Sequence, residues 1–278
     1  MTLYLTFFLF TNYLNQALLD LPMDGWAIES FSKKQDLNGS ILVAGLPGIG
    51  NVGKIVTDFL VDELKAQKIC EFSSYHMPHS IFINQDNLVV MPKITLYYKQ
   101  AKKTKLLIFT GDTQPIDEVG CYGLCDSLLD FFVQNKGKEI ITLGGIGLNN
   151  IPKDPKVYCT GNDSEIIARY KKGTEMNDKV YGVVGPIIGV SGLLLGLSGN
   201  RKIKAISLLS ETFGHPMFLG LKGAREILKV LDKKLTLGVN LNNLEKEIST
   251  MESRMKVTDE LGKVGKKKKD KGDVSYIG

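Results

Sequence analysis

A glycine-rich turn near residue 50 is the segment whose residue types and spacing best fit ligand chemistry. Residues 45–54 read GLPGIGNVGK and lie between an apolar run and a segment with helical periodicity. Gly48, Gly50 and Gly53 match the spacing of a dinucleotide-binding turn, whose backbone approaches a pyrophosphate at a helix N-terminus. Glu71 follows Gly53 by 18 residues, near the place of a ribose-binding carboxylate. The turn therefore predicts a nucleotide or another anion as one candidate ligand.

The same turn matches most of the phosphate-binding loop of NTPases. Gly48 and Gly53 have the required spacing and Lys54 follows them, but Ile55 stands where a Ser or Thr hydroxyl would coordinate Mg²⁺. NTP hydrolysis is therefore disfavoured, whereas Asn51 and Lys54 remain members of a candidate anion-binding or ligand-binding loop. The alternative is that the glycines only allow a sharp turn and a close helix-to-sheet contact.

Two carboxylates at the ends of apolar runs are candidates for acid–base chemistry. Asp112 lies in a Gly/Pro-containing turn, and Glu211 stands four residues before His215. Such residues suit proton transfer at a strand end, but an Asp in a turn commonly hydrogen-bonds its own backbone instead. With the glycine turn they define the alternative function, a nucleotide- or nucleoside-binding α/β enzyme.

Cysteine and histidine usage does not support a metal site. The chain has four cysteines and three histidines. Cys121 and Cys125 lie one helical turn apart, but no nearby His or Cys completes a ligand set. We therefore expect no metal, no cofactor and reduced thiols, as in a cytoplasmic protein.

The C-terminal residues combine a basic stretch with an aromatic and apolar end. Residues 253–278 hold eight Lys or Arg against four Asp or Glu. Residues 263–273 contain too few apolar side chains to fold alone and are expected to be flexible. Tyr276, Ile277 and Gly278 then end the chain as a peptide suited to a pocket on a partner. A frayed terminus is the alternative.

Composition excludes several classes of protein. Of 278 residues, 43% are hydrophobic and 23% charged, as in a globular protein. The lysines at 266–269 alone would give weak, sequence-blind contacts with phosphates, so no nucleic-acid partner is expected. The apolar run at 3–10 is too short to span a bilayer, so no membrane partner is expected either. Residues 1–22 are interpreted as an extension outside the fold.

Alternating strand and helix patterns predict the fold. Strands joined to helices by glycine turns are typical of a three-layer α/β/α sandwich with a mostly parallel sheet, whose ligands bind at the C-terminal ends of the strands. The predicted strands cover 41–45, 105–110, 139–143, 180–184 and 203–209, the helices cover 52–64, 117–135, 191–197 and 224–235, and a hairpin covers 80–98.

A separate amphipathic helix is predicted after the sandwich. Apolar residues from Leu241 to Met255 follow a 3-4-3-4 spacing, which suits self-association or packing on the chain's own domain. The predicted organisation is an extension at 1–22, an α/β domain at 23–236, this helix at 237–262 and a flexible basic tail at 263–278.

Five blocks of sequence resemble, in order, the archaeal proteasome assembly chaperone family, which is related to the eukaryotic proteasome assembly chaperone 2. The blocks are residues 41–53, 110–115, 142–145, 189–196 and 275–278. The resemblance implies an α/β/α fold similar to nucleoside phosphorylases, without an established catalytic centre. It also implies a homo-oligomer that assembles the 20S proteasome or opens its gate, and that is not an enzyme.

Members of that family dock through a C-terminal hydrophobic–Tyr–any motif, which enters pockets between α subunits of the proteasome. By this resemblance Tyr276 is the aromatic anchor and Gly278 supplies the terminal carboxylate. Ile277 departs from the motif, because it occupies the position next to last where the family has Tyr. The register of docking is therefore shifted by one residue relative to the family pattern.

Overall fold

The structure is a computed structural model that describes residues 25–31, 35–182 and 184–251. Its contacts divide the chain into two compact units, with the boundary between Val239 and Asn240. The strands are β1 (Ala27–Ser30), β2 (Ile41–Ala44), β3 (Gln67–Ser73), β4 (Phe82–Ile83), β5 (Val89–Val90), β6 (Ile94–Ala101), β7 (Thr104–Gly111), β8 (Glu139–Leu148), β9 (Val157–Gly161) and β10 (Lys204–Phe213). The helices are α1 (Val52–Leu64), α2 (Glu118–Gln134), α3 (Ser164–Lys171), α4 (Val190–Asn200) and α5 (Leu221–Leu235), and a 3₁₀ turn covers Ile49–Asn51.

One eight-stranded sheet forms the middle layer, in the order β1-β3-β6-β7-β2-β8-β10-β9. β7, β2, β8 and β10 are mutually parallel, so that Val43 lies between Ile108 and Ile141. β3 runs in the same direction as β7, because both are antiparallel to β6. Five of the eight strands in this described sheet thus share one direction, and the predicted mostly parallel sheet is confirmed.

Helices cover both faces of the sheet. α2 and α4 contact each other, and their apolar residues join one core cluster with Leu42 and Phe109. Side chains alternate between faces along a strand, so the fully buried Val43 faces the other layer, where α1 and α5 contact each other. The predicted three-layer sandwich is confirmed. Each parallel strand is buried on both faces, which is why these strands read as continuous apolar runs.

Most predicted elements are found, and one is wrong. The helix at 52–64 has the predicted bounds, and the turn at 85–87 does join two paired strands, β4 and β5. Residues 180–182 and 184, in contrast, form no strand. Gly182 has a φ of +75°, which lies outside the β region, and the side chain of Tyr181 is fully exposed. The segment therefore neither has strand geometry nor packs against the sheet at these residues.

The unit that starts at Asn240 contains a helix over residues 242–251. Leu244 and Ile248, two of the predicted apolar positions, are buried. The rest of the predicted helix up to Met255, and any self-association through it, lie outside the described residues. Among the helices that are described, none has the length and apolarity that a bilayer crossing requires.

Candidate functional site

An open cleft of about 1290 Å³ lies at the C-terminal ends of the parallel strands, where the sequence placed the ligand site. Its volume exceeds the roughly 300–1000 Å³ typical of sites for small molecules. The loop after β2, the loop after β7, the glycines of β8 and the segment leading into α4 form its walls. These walls include Leu46, Gly48, Ile49, Gly53, Gln114, Ile116, Asp117, Glu118, Gly144, Gly145, Ile187 and Ile188.

Two glycines of the turn allow α1 to lie directly on the sheet. A Cβ atom on Gly45 would lie 2.2 Å from the carbonyl oxygen of Gly53, and one on Gly53 would lie 2.9 Å from the carbonyl oxygen of Leu143. The hydroxyl of Thr57 donates a hydrogen bond of 2.9 Å to the carbonyl of Gly45 and so fixes the same contact. Close packing of helix and sheet accounts for both glycines without any ligand.

Gly50 is also occupied by protein contacts. Its φ of +60° favours glycine, and a Cβ atom there would lie 2.6 Å from Oγ1 of the buried Thr212. The N–H of Gly220 donates to the carbonyl of Gly50 at 2.8 Å. Asn51 follows with a φ of 51°, which asparagine tolerates better than most residues. The middle of the turn therefore packs on β10 and the start of α5.

Lys54 and Asp112 belong to a different cluster. Nζ of Lys54 lies 2.9 Å from Oδ2 of Asp58 and 3.8 Å from Oδ1 of Asp112. The hydroxyl of Thr110 donates to Asp58 at 2.7 Å, and the backbone N–H of Lys93 donates to Asp112 at 3.0 Å. Of the predicted ligand-loop residues only Gly48 and Gly53 line the cleft, whereas the side chain of Lys54 pairs with Asp58 and Asp112 outside it.

The charge of the cleft disfavours phosphate. Asp117 and Glu118 are the charged residues among its described walls, and neither Lys, Arg nor His lines it. Asp117 caps α2, because its Oδ1 accepts the N–H of Gly120 at 2.6 Å. Its Oδ2 lies 2.8 Å from Nδ1 of His76. The hydrogen bond with His76 and, to a smaller extent, the one from Gly120 lower the pKa of the Asp117 carboxyl. The rim of the cleft thus keeps a negative charge at neutral pH.

Gln114 joins two walls of the cleft and was missed by the sequence analysis. Its Nε2 donates to the carbonyl of Pro47, and its Oε1 accepts the N–H of Val190 at 3.1 Å. Gly189, with a φ of +80°, leaves room for this amide, because a Cβ atom there would lie 2.5 Å from Oε1 of Gln114. One side chain therefore holds the glycine turn to the N-terminus of α4.

Glu211 and His215 do not form the acid–base pair considered above. The Glu211 carboxylate accepts hydrogen bonds from the hydroxyl of Tyr158 at 3.1 Å and from the backbone N–H of Lys156 at 3.0 Å. Nδ1 of His215 accepts the N–H of Met217 at 3.2 Å. Burial, together with the Glu211 contact, raises the pKa of Tyr158. Each of these groups fixes a loop or an edge strand.

The cysteines lie in apolar or partly buried positions and are free. Burial raises the pKa of Cys125, whose thiol donates to the carbonyl of Val190 at 3.8 Å, so this thiol is a packing residue. No group of three His, Cys, Asp or Glu within the described ranges could hold a metal ion. Tyr276, Ile277 and Gly278, the predicted partner-binding residues, lie outside the described residues.

Comparison with known proteins gives consistent results over most of the chain. A proteasome activator of Pyrococcus furiosus, PbaB, is 31% identical with a TM-score of 0.77, over 85% of this chain and 100% of that one. PbaA of the same organism, a homologue of proteasome-assembly chaperones, is 22% identical with a TM-score of 0.71, over 87% of this chain and 95% of that one. An uncharacterised protein of Methanocaldococcus jannaschii is 27% identical over 250 residues, which cover 88% of this chain and 94% of its own.

The model of the PAC2 family matches residues 42–258, from the first central strand to beyond the last described helix. That range includes the glycine turn, the loop that carries Gln114 and the glycines of β8. The family resemblance seen in the sequence blocks is confirmed by this match and by the shared fold. This chain belongs to the PAC2 family.

Proposed function

We propose that this protein is a cytoplasmic proteasome assembly chaperone or activator that binds the α subunits of the 20S particle through its C-terminal residues. The observation that carries the proposal is its likeness to PbaB of Pyrococcus furiosus, which extends over all of that chain at 31% identity. The proposal places Tyr276 in a pocket of the α-ring and Gly278 at a cationic group beside it. Several copies joined in a homo-oligomer would present several tails, and avidity would strengthen weak single contacts.

The chemistry of the cleft supports a non-enzymatic role. The catalytic constellations considered from the sequence need a nucleophile beside a base, or cationic groups beside a phosphate. Glu211 and His215 are engaged by other groups, and Lys54 forms ion pairs away from the cleft. Apolar and glycine-lined walls with an acidic rim are better suited to a protein segment than to a nucleotide.

The direct test is cosedimentation with purified 20S particles. Tyr276→Ala removes the ring that would fill the pocket, and we expect at least a tenfold weaker association, since aromatic anchors dominate such contacts. Ser275→Ala is the matched control and is expected to bind as the parent chain does. Deletion of residues 276–278 should abolish cosedimentation. Binding that persists after this deletion would remove the tail from the mechanism.

A second measurement addresses the alternative, a nucleotide- or nucleoside-binding enzyme. Isothermal titration of the full chain with ATP, NAD or a purine nucleoside is expected to give no binding heat. Saturable heat that is lost in a Gly48→Asp variant would favour the alternative, because Gly48 lines the cleft and has no atom within 4 Å of a Cβ position.

A further inference from the structure

A small hairpin formed by β4 and β5 exposes several large apolar side chains. The two strands form their own two-stranded sheet, separate from the main one in the described chain. Its turn is well organised: Oδ1 of Asn84 accepts the N–H groups of Asp86 and Leu88 at 3.0 and 2.9 Å, and Asn87 adopts a φ of +60°. Because a two-stranded hairpin is marginally stable in isolation, a packing partner is expected for it.

One face of this hairpin is uniformly aliphatic. Ile83 pairs with Val89. Ile81 and Met91 flank the two strands, and continuing the alternation by one residue puts them on the same side. These four side chains are 56% (Ile81), 69% (Ile83), 67% (Val89) and 61% (Met91) exposed. The other face carries Phe82, which is 43% exposed, and the partly buried Val90, with Leu88 beside the turn 62% exposed. Within the paired strands, Ile83 and Val89 are thus more exposed than Phe82 and Val90, and the aliphatic face has no covering layer in the described part of this chain.

We propose that this aliphatic face packs against the same face of a second copy of the chain across a two-fold axis. Two apolar sheet faces stack in this way in β-sandwiches, with interdigitated side chains. A contact of the same patch with itself is the commonest geometry of soluble homo-oligomers. The inference adds an interface to the proposed function, and the tail at 276–278 has no part in it.

Charge and area favour a second copy as the occupant. Asp86, at the tip of the turn, is the one charged residue between positions 80 and 92, so two copies meet without opposed like charges on the face. Four side chains of this size, each more than half exposed, present about 500 Å² per copy, within the range of the largest apolar patch of a monomer. Two faces would bury at most about 1000 Å², the lower bound for a specific interface, so neighbouring surface must add to the contact.

Further exposed apolar side chains lie at the end of the sheet from which the hairpin projects, since β3 ends and β6 begins where β7 ends. The N–H of Ile116 donates to the carbonyl of His76 at 3.0 Å, which ties the loop after β7 to the segment that leads into the hairpin. Ile116 and Val119 are 58% and 68% exposed. Exposed apolar surface at this end of the sheet is thus not limited to the hairpin.

Sedimentation velocity of the full chain at micromolar concentration tests the inference. The parent protein is expected to form an assembly with an even number of chains. The double variant Ile83→Lys, Val89→Lys is expected to reduce the mass of that assembly to one half or less. Leu88→Lys is the matched control, because Leu88 is 62% exposed in the same turn but alternates to the opposite side. Circular dichroism and the melting temperature report whether each variant is folded.

Three results would overturn the inference: a monomeric parent chain, an odd number of copies, or a folded double-lysine variant with unchanged mass. An equal loss of mass in Leu88→Lys would refute the assigned face. The tail is not needed for this measurement, so a chain that lacks residues 276–278 must self-associate as the parent does. Failure of proteasome binding and failure of this interface are thereby distinguished.

Discussion

Replacement of Gly45 by alanine tests whether the glycine turn exists for packing. The added Cβ would lie 2.2 Å from the carbonyl oxygen of Gly53 and 2.9 Å from Cγ2 of Thr57. The nearer contact is with backbone of the first turn of α1, so relief requires the helix to move away from β2. Overpacking of this kind costs typically about 1–3 kcal/mol, and a backbone contact belongs at the upper end of that range.

Gly48 provides the matched control within the same turn. A Cβ atom on Gly48 would meet no atom within 4 Å, and its φ of −164° is extended backbone that alanine adopts. Gly48→Ala should therefore leave the free energy of unfolding within about 0.5 kcal/mol of the parent. For Gly45→Ala, a loss of about 3 kcal/mol in a chain of this size corresponds to a fall of roughly 6–12 °C in the melting temperature.

Thermal and urea unfolding, followed by circular dichroism, measure both variants. We expect a clear loss of stability in Gly45→Ala and almost none in Gly48→Ala. Equal stability of the two variants would contradict the packing role. A stable Gly45→Ala variant that loses a bound ligand would instead show that the turn is a binding loop.

Three further predictions concern single side chains. Gln114→Leu removes both hydrogen bonds between the cleft walls and should lower stability by about 1–3 kcal/mol in urea unfolding, with unchanged stability as the contrary result. Tyr170→Phe takes the 2.7 Å hydrogen bond from the buried carboxylate of Glu139 and should cost about 1–3 kcal/mol by the same assay, whereas a neutral effect would contradict this role. The hydrogen bond with His76 lowers the pKa of the Asp117 carboxyl, so the ionised carboxylate stabilises the fold above about pH 4 and loses that effect as pH falls through its folded pKa. Asp117→Asn should therefore weaken the fall in the free energy of unfolding at acid pH. Identical acid unfolding of the variant and the parent chain would refute this role.

Local patterns in the sequence were sufficient for the central layers. The helix at 52–64 was predicted with the observed bounds, because its apolar spacing and the preceding glycines act within one segment. β1, β3 and β9 were not predicted. Each is antiparallel to its neighbour in the sheet, and none reads as a long apolar run. Their pairing depends on partners distant in sequence, which periodicity alone does not reveal.

The cleft was predicted in position but not in composition. Strand ends and glycines located it, since ligand clefts of α/β folds occur there. The role of Gln114 depends on contacts with Pro47 and Val190, which are 67 and 76 residues away in the chain. The separation of Lys54 from the cleft depends on Asp58, one helical turn further along α1. The contacts of Gln114 have no signature in local sequence, whereas Lys54 and Asp58 are an i,i+4 pair that the helical spacing could have indicated.

The two ends of the parallel strands, called here the N-terminal and C-terminal edges, differ in the surface that they present to a partner. At the N-terminal edge of β8 the buried Glu139 is satisfied by Arg169 and Tyr170, and Nζ of Lys234 donates to the carbonyl of Arg169 at 2.8 Å. That edge is closed by charge-assisted hydrogen bonds, which stabilise α3 and α5 against the sheet. The C-terminal edge carries the acid-rimmed cleft and the aliphatic hairpin. Because unpaired apolar surface is concentrated there, partner contacts of the α/β body are expected at this edge, and substitutions there should change association more than stability.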